Sequence, residues 1–290
     1  MYRCYNVKRF LNLLMIDAII FSICSVFFFI GKIFLSSAQD NEDAVFLPVI
    51  MYHSVYGDTP SEYIVTPEQL ENDLQWLKTN GYSTVTAEQV INYTRNKGPL
   101  PEKCVMITLD DGFYNNLSIL VPLLEKYDMT ALVSVVGSYT DNDAVIDPHN
   151  QRYSYLTWDD IKELQNSERI ELGNHTYNMH SLKGERVGCG IADGETESDY
   201  RKKLNDDISH LQNSFTENIG YTPVVFTYPF GKVSRESLPV IRENGFLMTL
   251  TCRELPNYIT HDTDCLYGIG RYNRSGLYST EEYMSKLLAQ

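Results

Sequence analysis

Short apolar runs rich in β-branched residues alternate with capped helical segments along most of this chain, and that pattern leaves few folds open. Strands separated by helices pair in parallel, so the chain is predicted to be an α/β protein. Val45 to Met51 reads as the first strand, closing in Tyr52-His53. Thr66-Pro67-Glu68-Gln69 is a capping box with proline at the first helical position, opening a helix that stops at Asn80-Gly81. Further helices are predicted over 86–95, 115–127, 199–215 and near 236–244, and one over 158–165 behind the cap Thr157. Strands are predicted at 105–109, 130–136, 170–172, 224–228 and 246–251. These βα units suffice to close a barrel, incomplete or distorted. The chain shows no internal repeat, and residues 183–198 read as an irregular surface loop.

At 290 residues and 43% hydrophobic content, the chain suits one large domain with a short appendage. The appendage is N-terminal. Phe10 to Leu35 is almost wholly apolar and long enough to cross a bilayer as one helix, with Asp17 a costly interruption. Arg3, Lys8 and Arg9 before it place the N-terminus in the cytoplasm. Ser36-Ser37-Ala38 offers a small-residue cleavage site, but the run exceeds a signal core of roughly 7–15 residues. The expectation is therefore a single-pass anchor over 1–38, a polar linker over 39–44 and a catalytic domain over 45–290 outside the cell, secreted if the anchor is cleaved. A formal charge of -14 excludes nucleic acid as a partner, since that needs a basic footprint, and a monomer is expected. Of the six cysteines, Cys252 and Cys265 flank a short loop and are the pair best placed to bond, which an oxidising exterior permits without requiring.

Chemistry enters where Val105-Met106-Ile107-Thr108-Leu109 runs into Asp110-Asp111-Gly112. Two carboxylates then stand at the C-terminal edge of a buried strand, where α/β folds place their sites. Adjacent strand residues point to opposite faces, so both serve one site only if the strand is already breaking. A second segment, Gly173-Asn174-His175-Thr176-Tyr177-Asn178-Met179-His180, follows another strand. On a helix, histidines five apart diverge by about 140°. On a strand they face opposite ways, so only an irregular loop brings both imidazoles together. His175, His180 and one of the two aspartates would make a three-ligand divalent site with positions left for water and substrate. Zinc is the first expectation, and cobalt, nickel or ferrous iron are compatible with the same donors.

The segment Thr108-Leu109-Asp110-Asp111-Gly112-Phe113 resembles the aspartate signature of the polysaccharide deacetylases, the fourth carbohydrate esterase family. His175 through His180 is similar to that family's histidine motif, and the five-residue spacing resembles its poly-N-acetylglucosamine deacetylases. Phe226-Thr227-Tyr228-Pro229-Phe230-Gly231 and Val49-Ile50-Met51-Tyr52-His53 also look like family segments, so the resemblance covers roughly 45–275. It implies a distorted (β/α) barrel and a hydrolase that removes N-acetyl groups from an N-acetylglucosamine polymer. Asp110 would be the general base, and Asp111, His175 and His180 the metal ligands. The backbone N–H of Phe230 would stabilise the oxyanion, with Pro229 fixing its loop and Tyr177, Tyr228 and Phe230 close to the sugar.

Two departures stand out. The family's arginine before the proline–aromatic step is missing from Thr227-Tyr228-Pro229, so Asp110 must be oriented from elsewhere. No Leu-x-His pattern lies near the C-terminus, so the usual general acid is missing too. His53 is the candidate substitute, a structural strand-end histidine being the alternative reading. A catalytically silent glycan-binding protein of the cell envelope is the competing function. A ferrous oxygenase shares the ligand set, but the barrel pattern argues against it.

Overall fold

The computed structural model describes residue 15 and residues 44–142, 146–184 and 186–289. The expected membrane span and nearly all of the linker lie outside these residues. Among the described residues no helix is long and apolar enough to cross a membrane.

The strands, in chain order, are β1 (Val45–Phe46), β2 (Val49–Tyr52), β3 (Ser54–Val55), β4 (Ile64–Val65), β5 (Ser83–Thr84), β6 (Cys104–Leu109), β7 (Ala131–Val135), β8 (Ile170–Asn174), β9 (Val225–Thr227), β10 (Met248–Leu250), β11 (Tyr258–Ile259), β12 (Tyr267–Ile269) and β13 (Tyr272–Asn273). Nine of them form one sheet in the order β12-β10-β9-β8-β7-β6-β2-β13, with β5 added to β6. Every pairing in that sheet is parallel. Its two ends, β12 and β13, are neighbours in sequence, joined only by Gly270 and Arg271. Three residue steps span at most roughly 11 Å, so the sheet must curl until its edges nearly meet. The barrel is open along one seam, and Arg271 sits in it.

Period-two alternation sorts side chains between the outside and the inside of this curl. Val105, Ile107 and Leu109 of β6 join the outer cluster with Leu70, Leu74 and Leu77 of the helix Pro67–Thr79. Cys104 and Met106 join the inner cluster with Val49, Leu132, Val225 and Met248. Above that apolar layer the interior turns polar, with Thr108, Ser134 and Thr227 buried and Ser134 Oγ 2.7 Å from Thr227 Oγ1. Asp110, two residues beyond Thr108, keeps the inward parity.

Most predicted helices form; the capping box at Thr66 is as read, and Thr86 and Thr157 prove to head capping boxes as well. The expected first strand is instead two, because Pro48 cannot donate to a ladder: β1 pairs antiparallel with β11, while β2 enters the parallel sheet. The helix expected over 115–127 is a π-helical turn, Asn116–Leu120, running into the α-helix Val121–Tyr127. Strands β12 and β13 and the helix Thr280–Leu287, capped by Ser279 and Glu282, are additions the pattern did not announce. Cys252 and Cys265 are free thiols, so the anticipated pairing is not formed. Among the described residues of 183–198 no regular structure forms before the first turn of the helix Glu197–Ile219, yet Cys189 within them is fully buried.

Candidate active site

Asp111 has φ 70°, so the strand breaks between the two aspartates and both carboxylates reach one place. Gly112 follows with φ 73°, and a Cβ there would lie 2.8 Å from Val135 Cγ1, so only glycine fits this turn. Asp110 is buried, and Arg271 grips it from the seam with two bonds of 2.7 Å, one to each carboxylate oxygen. The same guanidinium donates to the Thr251 carbonyl and to Thr108 Oγ1. Burial alone would raise the Asp110 pKa, but the Arg271 charge outweighs it and holds the carboxyl well below its usual range.

His175 is buried at the end of β8, and its Nδ1–H donates to the Thr227 carbonyl at 2.8 Å. A carbonyl only accepts, which fixes the tautomer and leaves Nε2 a free lone pair. Burial pushes this imidazole down to about 3, so it is neutral. His180 Nδ1 lies 3.1 Å from the Tyr139 hydroxyl, which likewise turns Nε2 inward, and burial lowers its pKa too. The loop between them is held by Asp207, whose carboxylate oxygens accept the N–H groups of Tyr177 and Asn178 at 2.8 Å each. That clamp, with Thr176 at φ 70°, brings histidines five apart together.

Asp111 Oδ1 lies 3.2 Å from His180 Nε2 and 3.7 Å from His175 Nε2, and it has no hydrogen-bond partner although buried. Burial and then the Asp110 charge push the Asp111 carboxyl up to about 7. Asp111, His175 and His180 each present one ligand atom within 4.8 Å of the others. An orphaned carboxylate oxygen and two inward imidazole Nε2 atoms are a donor set that fits a divalent cation. These groups form the floor of a cavity of about 1010 Å³, whose walls include His53, Tyr63, Phe113, Phe230 and Cys252.

A model of the family described as polysaccharide deacetylase matches residues 97–249, more than half of the chain. The chain belongs to the polysaccharide deacetylase family. Among its relatives, the poly-beta-1,6-N-acetyl-D-glucosamine N-deacetylase of Escherichia coli (strain K12) is 26% identical over 222 residues, covering 70% of this chain and 33% of that protein. The protein of the same name from Staphylococcus aureus (strain MRSA252) is 25% identical over 202 residues, covering 70% of this chain and 66% of its own length. The chain thus spans a third of one relative and just under two thirds of the other. A de-N-acetylase from Aggregatibacter actinomycetemcomitans superposes with TM-score 0.70 at 25% identity, covering 84% of this chain and 100% of that one. IcaB from Ammonifex degensii shares the fold, with TM-score 0.70 at 22% identity over 84% of this chain and 98% of that one.

In this deacetylase-family chain the structure gathers Asp110, Asp111, His175, His180, His53 and Phe230 around one cavity. His53 continues the inward parity of Val49 and Met51; its Nδ1 is buried without a partner, and burial lowers its pKa. Phe230 has φ 56° in the turn Pro229–Gly231, a left-handed conformation that strains a non-glycine residue. The hydrogen bonds of that turn come from the N–H groups of Gly231 and Lys232, not from Phe230. Tyr177 and Tyr228 are not brought to the cavity. The Tyr177 ring stacks on His210 at 3.8 Å between centroids, on the helix side of its loop. Tyr228 is buried with its hydroxyl 2.8 Å from Ser237 Oγ, because its strand parity sends it outward. Pro229 is buried behind the wall and meets the loop at Gly188, where a Cβ would lie 2.7 Å from the proline carbonyl.

Arg271 is the site residue that motif reading missed: the contact that orients Asp110 comes from this distant residue rather than from the segment before the proline. Its sequence signal is slight, an arginine two residues beyond an apolar strand end.

Proposed function

We propose that this chain is a metal-dependent hydrolase that removes N-acetyl groups from N-acetylglucosamine residues of an extracellular polysaccharide, poly-N-acetylglucosamine or peptidoglycan, releasing acetate. The observation that carries this reading is the convergence of Asp111, His175 and His180 beside an ionised Asp110 held by Arg271. Those three residues would hold the cation, zinc first by donor type, with cobalt and nickel compatible. Once bound, such a cation polarises the acetyl carbonyl and acidifies a water.

The chain's own groups supply the rest. Asp110 stays ionised, because its guanidinium partner holds its pKa low, and accepts the proton of the attacking water. Phe230 N–H donates to the oxygen that gains charge as the carbonyl carbon becomes tetrahedral. His53, on the cavity wall, delivers a proton to the departing nitrogen, so the C–N bond breaks to give acetate and a free amine. Burial lowers the His53 pKa and keeps it neutral, so the proton it delivers is the one Asp110 took from the water, passed on to His53 within the cycle. Poly-N-acetylglucosamine is favoured by the names of the relatives, and an exterior location by the apolar run from Phe10 to Leu35.

The silent glycan-binding alternative rested partly on a missing arginine, and Arg271 removes that motive. Acetate release from N-acetylglucosamine oligomers by the purified full chain tests the reading. Release that chelator abolishes and zinc restores is expected; a metal-loaded protein releasing none from any acetylated glycan overturns it.

A further inference from the structure

Two aromatic rings stand in the cavity wall with much of their surface in solvent, Tyr63 at 53% and Phe230 at 40% exposure. Each leans on a different histidine. Phe230 lies 4.5 Å from the His180 ring, on the Asp111 side, and Tyr63 meets His53 edge-on at 5.1 Å. His53 follows β2 and Phe230 lies beyond β9, and β6, β7 and β8 stand between those strands in the sheet. The aspartates and metal-site histidines follow β6 and β8, so the rings bracket the reaction centre along the strand ends.

Tyr63 is held there by a dedicated brace. Its carbonyl accepts the Ser54 N–H at 3.2 Å, and the preceding Glu62 carbonyl accepts Asn273 Nδ2 at 3.0 Å. Asn273 follows Arg271 at strand spacing, so one short segment carries both the clamp on Asp110 and the brace on the Tyr63 loop. A large ring kept exposed while its backbone is pinned contributes little to the core and much to a cavity wall.

We infer that Tyr63 is a sugar-stacking platform for the residue next to the one being deacetylated, with Asn273 as its positioning residue. This rests on the deacetylase reading. The enzyme therefore engages at least two consecutive sugars and acts on a chain rather than a free monosaccharide. Pyranose C–H faces pack on aromatic rings as apolar surfaces do, which needs the ring and not its hydroxyl.

The test compares Tyr63→Ala and Tyr63→Phe with the unchanged protein, all zinc-loaded, on N-acetylglucosamine pentamer and on a small aryl acetate that needs only the reaction centre. Tyr63→Ala is expected to raise KM for the pentamer roughly tenfold, with kcat held within about twofold. Aryl acetate turnover should fall far less than pentamer turnover, the thermal midpoint should not change, and Tyr63→Phe should restore the pentamer KM. Asn273→Ala should raise the pentamer KM in the same direction. Equal pentamer KM in Tyr63→Ala and the unchanged protein overturns the platform, as does an equal loss on both substrates. Aryl acetate turnover by the unchanged protein without release from any glycan would instead sink the deacetylase reading, and the platform with it.

Discussion

Arg271 meets Asp110 through two parallel bonds of 2.7 Å with both partners buried, so the two ways of removing it differ in kind. Arg271→Ala strands a buried carboxylate and should cost roughly 3–5 kcal/mol of stability. Arg271→Lys keeps a cation but loses the fork, so it should fold while kcat falls at least about tenfold. Denaturant melts and acetate kinetics on the two variants check this, and a lysine variant of undiminished kcat would show that the fork is dispensable. His180→Ala should drop zinc below one equivalent per chain by elemental analysis, since Asp111 Oδ1 then loses its nearest ligand partner. Full occupancy would remove His180 from the ligand set. The aspartates and histidines were legible in sequence because each sits in a local motif. Arg271 was not, because it works through a seam that only the curled sheet creates. Tyr177 and Tyr228 were misplaced for a related reason: proximity in sequence to a ligand says nothing of which face a side chain takes.

At the level of elements, the histidine loop depends on a helix remote from it in sequence. Asp207, on the helix Glu197–Ile219, accepts two successive N–H groups of that loop. Asp207→Ala should weaken zinc binding about 10–100-fold while leaving the ligands intact, as measured by competition with a chromogenic chelator. The loop before that helix carries Glu195, whose side chain is only 6% exposed. Burial opposes ionisation there, but bonds from Arg186, Lys203 and the Ala192 N–H pull the carboxyl down to about 2. A depressed folded pKa means that the stabilisation is present above the ordinary value of 4.5 and is lost as pH falls toward 2. Limited proteolysis should therefore open this loop across that acid window. Glu195→Gln should open it already at neutral pH, and an unchanged cleavage profile would show that the ion pair does not hold it. Strand and helix identities were readable from caps and β-branched runs. The π-helical turn and the break at Pro48 were blurred because both interrupt an otherwise continuous pattern.

Across the whole molecule, the C-terminal segment is tied to the N-terminal half by a second buried ion pair. Arg274 meets Asp73 on the helix Pro67–Thr79 at 2.7 Å, and Asp73 also accepts the hydroxyls of Tyr52 and Thr280. Asp73→Ala leaves a buried guanidinium unpaired and should cost roughly 3–5 kcal/mol, read as a lower urea midpoint without a change of slope. A cost under about 1 kcal/mol would mean that water or a neighbour replaces the carboxylate. The parallel barrel was legible as a class from alternation alone. Its point of closure was not, since β12 and β13 are too short to announce themselves.

That closure has a bearing on how the protein is made. A nascent chain finished as far as residue 250 already holds both aspartates and both histidines, yet the guanidinium that aims Asp110 is still to be translated. On the deacetylase reading, the groups that would hold a cation and the group that aims Asp110 thus come from separate stretches of the polypeptide, and the segment carrying Arg271 is the key that arms the rest.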